Sequence, residues 1–470
     1  MASSPTLAPR ISLLWRIHFW AALIASPFTV VAALTGLLYV FTPQIEGILH
    51  RNLDTVRVQG PRLSLDAAVA AAQAAVPSGA TLKSVVPAHG PEDSVQVYFK
   101  AAPGVNAGAN AGVDAGGEHS GHQHGAAAPA AAAKPVAAAM ERANADRIPS
   151  GTIVYVDPYN AQVLGSLNEI DRFGMWSKRL HSSLLQPDSW RWMIELAASW
   201  LMVMLLTGVY LWWPRGNAKA LPQAGVKGRR AWRQWHAFTG VALALMSLAI
   251  LTTGLTWSKY SGAQIRSAMD AVGQASPKAP KDLKSTVLEG QKPMGWEAAW
   301  QVAVKQSPDV SMQLTAPRGP QGTWRATNFD RGQPDKRFNL QLDAYSGQTL
   351  YFSGWNDLAA FGKATAIGIP FHRGEFGWWN QALLIVFGVG VLFSLVSGWA
   401  MFFKRRRAGL LGLPPLKQGA WASMPVLGWV SAGFLFVAMP LLAYSAAVVA
   451  LIEAGLAWKL RRGAIAKAVS

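Results

Sequence analysis

Four stretches of the chain are apolar for long enough to cross a lipid bilayer: Ile17–Phe41, Trp192–Trp213, Trp235–Trp257 and Trp379–Phe403. At about 1.5 Å of rise per residue, about 20 apolar residues in a helix span the hydrocarbon core. No water reaches free N–H and C=O groups there, so the helix is the element such runs form. With 51% hydrophobic and only 14% charged residues, the expected fold is membrane α-helical with four core transmembrane helices. A fifth apolar stretch, Trp421–Trp458, is too long for one ordinary crossing and contains Pro440. It predicts a C-terminal segment of one or two helices, a short hairpin being the favoured form.

Basic residues orient the crossings, because Lys and Arg are retained on the cytoplasmic side. Arg10 and Arg16 precede the first run. Arg215, Lys219, Lys227, Arg229, Arg230 and Arg233 lie between the second and third, and Lys404 to Arg407 with Lys417 follow the fourth. Lys459, Arg461, Arg462 and Lys467 lie in the tail, and none of these segments contains Asp or Glu. The formal charge of +18 is therefore topological and calls for lipid, not nucleic acid, as partner. Residues 1–16, 214–234, 404–420 and 459–470 are expected in the cytoplasm, and residues 42–191 and 258–378 in the periplasm. The first run is too long for the apolar part of a cleaved signal and reads as an uncleaved anchor.

Both outer segments read as small α+β domains. Helical patterns at Ser64–Val76 and Trp296–Gln306 precede alternating runs such as Ser94–Lys100, Gly151–Val156 and Arg337–Leu342. An Ala- and Gly-rich insertion over 101–145 carries His119, His122 and His124. It reads as a solvated linker, or as a weak divalent-metal site.

The sequence also repeats. A shift of 218 residues maps His18 onto His236, Thr35-Gly36 onto Thr253-Gly254 and Tyr39 onto Trp257. A shift of 186 maps Asp157, Tyr159, Gln162 and Leu164 onto Asp343, Tyr345, Gln348 and Leu350. Near 190, Thr207-Gly208 falls on Ser397-Gly398, and His181 and His372 precede the next helix by similar distances. Two copies of helix, outer domain and helix are implied.

Polar rings at membrane depth are costly and mark pathways or cofactors. His18 and His236 sit at the cytoplasmic ends of their helices, while His181 and His372 sit just before the second and fourth, on the periplasmic side. Each leaflet thus receives one pair of imidazoles, a set suited to bis-His, low-spin b-type haem. The chain has no cysteine, which excludes thiolate zinc, iron–sulfur ligation and covalent haem attachment. Gly36 and Gly254 lie about 27 Å beyond His18 and His236, at the level of the other pair. Small residues there would let a flat macrocycle approach the backbone, or would serve helix packing alone. Arg16, Arg233, Arg179 and Arg373 neighbour the histidines and read equally as propionate contacts or interfacial anchors. His50 ranks below the four as an iron ligand, and His89 reads as a surface residue.

Several of these residues form recognisable motifs: Trp15-Arg-Ile-His18 with Leu34-Thr-Gly36, Leu180-His181 before Thr207-Gly-Val-Tyr-Leu-Trp-Trp-Pro-Arg215, and Phe371-His-Arg-Gly-Glu-Phe-Gly377 before Ser397-Gly-Trp399. The chain resembles the PepSY-associated transmembrane family, which includes ferric-siderophore reductases of the bacterial inner membrane. The resemblance covers about Trp15 to Arg407 and implies two periplasmic PepSY-like domains and two b-type haems. It further implies an electron donor, either quinol or a separate cytoplasmic protein, and a ferric siderophore or other periplasmic acceptor. The competing expectation is a haem-free PepSY scaffold that holds a periplasmic partner. A transporter would need broken helices and polar residues near the midplane, of which the four core runs show little.

Overall fold

The computed structural model describes residues 7–100, 151–214, 221–405 and 412–469. The histidines of the insertion, together with Arg215, Lys219, Arg406 and Arg407, lie outside the described residues.

Helix α1 (Leu7–Val40) continues into the short α2 (Thr42–Leu49) and α3 (Arg51–Asp54). After the first outer segment come α5 (Phe173–Ser183) and α6 (Trp192–Trp212), with α4 (Leu65–Ala74) lying within that segment. The third apolar run forms α7 (Gly228–Ala242) and α8 (Ala244–Thr256), followed by α9 (Ser261–Ala271). The second outer segment contains α10 (Trp296–Gln306) and ends in α11 (Ala360–Arg373), before α12 (Trp378–Arg405). The chain closes with α13 (Val426–Ala438) and α14 (Pro440–Val469).

Among the described residues, four helical stretches are long and apolar enough to cross a membrane, Ala8–Val40, Asp188–Trp212, Trp378–Lys404 and Pro440–Lys459; α7 with α8 adds a fifth if taken as one span. That third run is not the single straight helix its hydropathy predicts: α7 and α8 are bent by 56°. The break falls at Leu243, whose side chain presses into the space left open by Gly390 of α12. Leu243 still bonds back to Thr239, and Ser247 to Leu243, so the bend costs few backbone bonds.

The C-terminal apolar segment folds back on itself. Met439 leaves helical geometry and Pro440, which lacks an N–H, opens α14 where no intrahelical donor is needed. The base of the hairpin is fixed beside the start of α1, where Arg10 donates to the Ser423 carbonyl at 2.8 Å and Arg16 meets Glu453 of α14. Its apex packs at the other end of the bundle, where Met439 and Leu442 join Leu255 and Ile265. With 13 residues, α13 is about 20 Å long, shorter than a full crossing.

The two outer segments, expected as two α+β domains, meet edge to edge in a sheet compatible with that expectation. They share one eight-stranded antiparallel sheet in the order β4-β3-β2-β1-β5-β6-β7-β8. Its strands are β1 (Thr81–Val86), β2 (Val95–Lys100), β3 (Gly151–Val156), β4 (Val163–Asn168), β5 (Met312–Thr315), β6 (Thr323–Asn328), β7 (Asn339–Asp343) and β8 (Thr349–Ser353). Each segment supplies a four-stranded meander, and the seam is the pairing of Val85 with Leu314.

One face of the sheet packs α4 and α10 over a continuous core that includes Val97, Phe99, Val156, Leu314, Leu340 and Leu342. The two helices cap each other. Asp66 of α4 accepts from the N–H groups of Trp296 and Glu297 at 2.7 and 3.1 Å, and Glu297 accepts from Leu65 at 2.7 Å. Each carboxylate satisfies orphan donors at a positive helix terminus, the place where it stabilises most. This reciprocal contact joins the segments beyond what the strand seam supplies.

Candidate functional site

Threonine inside a helix can return its hydroxyl proton to a carbonyl one turn back. Thr35, Thr207 and Thr253 each do so, at 2.7 Å, to Val31, Val203 and Ala249; Ser397 donates to Ser394 at 2.9 Å. With the proton committed, the hydroxyl oxygen is left as an acceptor facing a neighbouring helix. At all four positions it faces Nδ1 of one of the expected histidines. His181 meets Thr35 at 2.9 Å, His18 meets Thr207 at 3.0 Å, His372 meets Thr253 at 3.0 Å and His236 meets Ser397 at 3.0 Å.

These contacts fix the tautomer. The Nδ1 of His236 also lies 3.0 Å from the carbonyl of Ser394, and a carbonyl can only accept, so Nδ1 carries the proton. The backbone carbonyls of Met204, Ala32 and Ile250 stand in the same relation to His18, His181 and His372. Each ring therefore presents a bare Nε2, the form of imidazole that ligates a metal.

The glycine after each hydroxyl residue completes the seat. A Cβ built on Gly208 would meet Cε1 of His18 at 3.1 Å; on Gly254, Cε1 of His372 at 3.3 Å; on Gly36, Cε1 of His181 at 3.5 Å; and on Gly398, Cε1 of His236 at 3.7 Å. These glycines receive an imidazole edge, a use distinct from the macrocycle clearance and the plain helix packing that the sequence left open. The seats are reciprocal: α1 carries His18 and seats His181, while α6 seats His18.

The rings pair across the bundle. His18 and His236 have centroids 6.4 Å apart with planes at 83°. Two metal–nitrogen bonds of about 2.0–2.1 Å, plus about 1.1 Å from each nitrogen to its ring centre, give about 6.3 Å. The 6.4 Å separation is close to that figure. His181 and His372 lie close enough to interact electrostatically. The two pairs occupy opposite ends of the bundle, since His18 and Thr35 stand about 26 Å apart along α1. Among the described residues no group of three or more His, Cys, Asp and Glu could hold a metal ion. The donor set thus fits a group whose other ligands are its own, as in bis-His haem.

The neighbouring arginines behave differently from one another. Arg16 is committed, its guanidinium bonded to Glu453 at 2.7 and 2.6 Å and to the Pro414 carbonyl at 2.7 Å. Arg373 donates to the Tyr39 hydroxyl and pairs with Glu375, both at 2.8 Å. Arg233 is exposed at the basic end of the bundle. Beside His181, Arg179 has a buried Nε with no hydrogen-bond partner, the orphaned donor that an approaching carboxylate would satisfy. His50 joins neither pair. It ends α2 near Glu46, and its Nε2 is buried without a partner.

Sequence reasoning missed Thr35, Thr207, Thr253 and Ser397 as imidazole partners, although it noted each beside its glycine. It also missed Glu453, Tyr39 and Arg331. The last lies in a connection between strands that carries no repeat signal.

Membrane-spanning helices under an eight-stranded antiparallel sheet, with paired imidazoles at both ends of the bundle, define a polytopic membrane protein of paired-histidine type. The family model described as "PepSY-associated TM region" matches residues 15–405, and the chain belongs to that family. No curated protein matches it.

Proposed function

We propose that this is an electron-transfer protein of the bacterial inner membrane that holds two b-type haems and reduces ferric siderophore in the periplasm. The observation that carries the reading is the fourfold seat: Nδ1 held by a hydroxyl, Cε1 against a glycine and Nε2 left bare. When bound, haem would supply a one-electron couple. His18 and His236 would hold one group and His181 and His372 the other, with Arg179 on hand for a propionate. Thr207, Ser397, Thr35 and Thr253 hold each imidazole in one orientation, so little rearrangement accompanies a change of charge.

The basic segments support a cytoplasmic position for the Arg10 end and a periplasmic one for the sheet. On this reading a quinol or a separate cytoplasmic donor delivers electrons at the His18 end. A ferric chelate collects them beneath the sheet. One electron converts hard-oxygen-bound ferric iron to ferrous iron, which the same ligands hold less tightly, so the metal is released. The alike seats on α1/α6 and α8/α12 support a duplicated architecture, with one ligand of each pair from each copy.

The test is a reduced-minus-oxidised absorption spectrum of the detergent-purified protein with haem quantification, beside His18→Ala and His372→Ala. A low-spin b-type spectrum, halved in each variant, is expected. A protein that stays colourless when expressed with ample haem overturns the reading in favour of a haem-free scaffold.

A further inference from the structure

Of the segment Phe371-His-Arg-Gly-Glu-Phe-Gly377, which closes α11 and leads into α12, the imidazole pair accounts for His372 alone. Helix α11 ends at Arg373. Gly374 then adopts the left-handed conformation at φ 78°, and the N–H groups of Gly374 and Glu375 bond back to Phe371 and Pro370 at 3.3 and 3.0 Å. A glycine in that conformation closes a helix by meeting its last free carbonyls. The start of α12 locks the turn from the other side, since Asn380 donates to the Phe371 carbonyl at 3.0 Å and accepts from the Phe376 N–H at 3.3 Å. Glu375 is thereby fixed three residues after His372, at the sheet end of the bundle.

The two oxygens of this carboxyl group are not alike. One pairs with Arg373 at 2.8 Å, while Oε2 is buried with no hydrogen-bond partner. An ionised carboxylate has about four lone-pair sites to satisfy, and a buried one left unmet carries a desolvation cost that the neutral acid largely escapes. The group also stands just past the C-terminus of α11, the negative end of the helix dipole, where an anion is disfavoured.

The charges around it come from three elements. Arg373 of α11 is shared with the Tyr39 hydroxyl of α1, at 2.8 Å. Arg331 and Asp330 belong to the β6–β7 connection, whose Gly332 lies against the Glu375 carbonyl. Helix α12 brings no charged residue before Lys404. Burial outweighs the two arginines and, together with Asp330, moves the Glu375 carboxyl above its ordinary value. The first copy has no counterpart: α5 ends at Ser183 and is followed by Leu184 and Leu185. At the other end of the bundle, Glu453 has both oxygens bonded by Arg16.

We propose that Glu375 is the proton-carrying group of the sheet-end imidazole pair, binding one proton when one electron arrives there and releasing it when the electron leaves. This rests on the redox reading of that pair. The charge of a desolvated carboxylate opposes an electron arriving beside it, through a medium that screens far less than water. By the same interaction the electron raises the carboxyl group's affinity for a proton. The balance is one electron from the quinol or cytoplasmic donor and one proton from water, which Glu375 reaches through a side chain that is 24% exposed. When the ferric chelate takes the electron, Glu375 returns the proton to water.

The test is a spectroelectrochemical titration of the full-length, detergent-purified protein from acid to mildly alkaline pH, resolving both midpoint potentials, beside Glu375→Gln and Glu375→Asp. Thr253→Val, which removes the hydroxyl partner of His372, identifies the sheet-end potential. In wild type that potential should fall as pH rises, by as much as the tenfold per pH unit, or about 59 mV, of one proton per electron. Glu375→Gln should flatten it, Glu375→Asp should keep a slope displaced along the pH axis, and the other potential should change in neither. A carboxylic-acid carbonyl band in the reduced-minus-oxidised infrared spectrum should vanish from Glu375→Gln. A sheet-end potential that ignores pH overturns the inference, as does a slope that survives in Glu375→Gln, which assigns the proton to a haem propionate. Both results leave the redox reading standing, whereas a colourless protein overturns the two together. Should Glu375→Gln fail to fold, Glu375→Asp decides: a displaced curve supports the inference, and one coincident with wild type overturns it.

Discussion

The glycine seats permit a graded test on one cofactor position. Gly208 and Gly398 back the two rings of the same pair, but an added Cβ would stand 3.1 Å from His18 and 3.7 Å from His236. The second distance is ordinary contact, so Gly398→Ala gains the helix-propensity difference of about 1 kcal/mol at no steric cost. The first is tighter than nine in ten real Cβ contacts, and the ring must retreat by about 0.3 Å to restore normal spacing. His18 cannot retreat freely, because Nδ1 is tied at 3.0 Å to Thr207, the residue next to the glycine. Lengthening that bond forfeits much of about 1 kcal/mol, a factor of about five, and disturbed second-shell partners lose about 10- to 100-fold in metal affinity. Gly208→Ala should therefore release haem at least about five times faster to excess apomyoglobin, with Gly398→Ala indistinguishable from wild type. Equal loss from both variants would refute the reasoning. A fall in thermal midpoint for Gly208→Ala without faster haem release would assign the glycine to helix packing.

At the sheet end, Thr35→Val and Thr253→Val remove the acceptors for His181 and His372 while keeping shape. Each should lower haem affinity about 10- to 100-fold, with Thr→Ser retaining it, as read from haem content after detergent washing. Glu453→Gln should loosen the C-terminal hairpin by about 1–3 kcal/mol, the range for a charged hydrogen bond left unmet, and limited proteolysis after α12 should accelerate. Outside the bilayer, burial pushes the Glu46 carboxyl up, but the hydrogen bonds and charge of Arg172 outweigh it and hold the group below its ordinary value. A carboxylate depressed in the folded state stabilises fully above its unfolded pKa of about 4.3 and loses that contribution as pH falls through the folded value. Thermal midpoints should therefore drop on acidification from pH about 5 downward, and Arg172→Gln should flatten that part of the curve.

The crossings and the sheet strands were legible because each depends on a local period, apolar length for the helices and alternation for β2, β3 and β7. The histidine positions were legible because the repeat marked them. What the sequence hid was long-range geometry. That the two meanders would join at Val85 and Leu314 depends on a single strand pairing and on two carboxylates, Asp66 and Glu297, whose partners lie over 200 residues away. The 56° bend at Leu243 depends on a glycine in another helix, with no proline to announce it. The Thr-Gly pairs were visible as motifs, yet their meaning turned on which helix faced them.

The same distinction explains why a repeat need not give two equal halves. Glu195 lies in α6, within the first copy, but its carboxylate fixes the start of α9 in the second, a contact that α2 and α3 of the first copy do not make. Glu195→Gln keeps the side chain's shape and removes its charge, which weakens the hold on the α9 N-terminus that a full carboxylate provides.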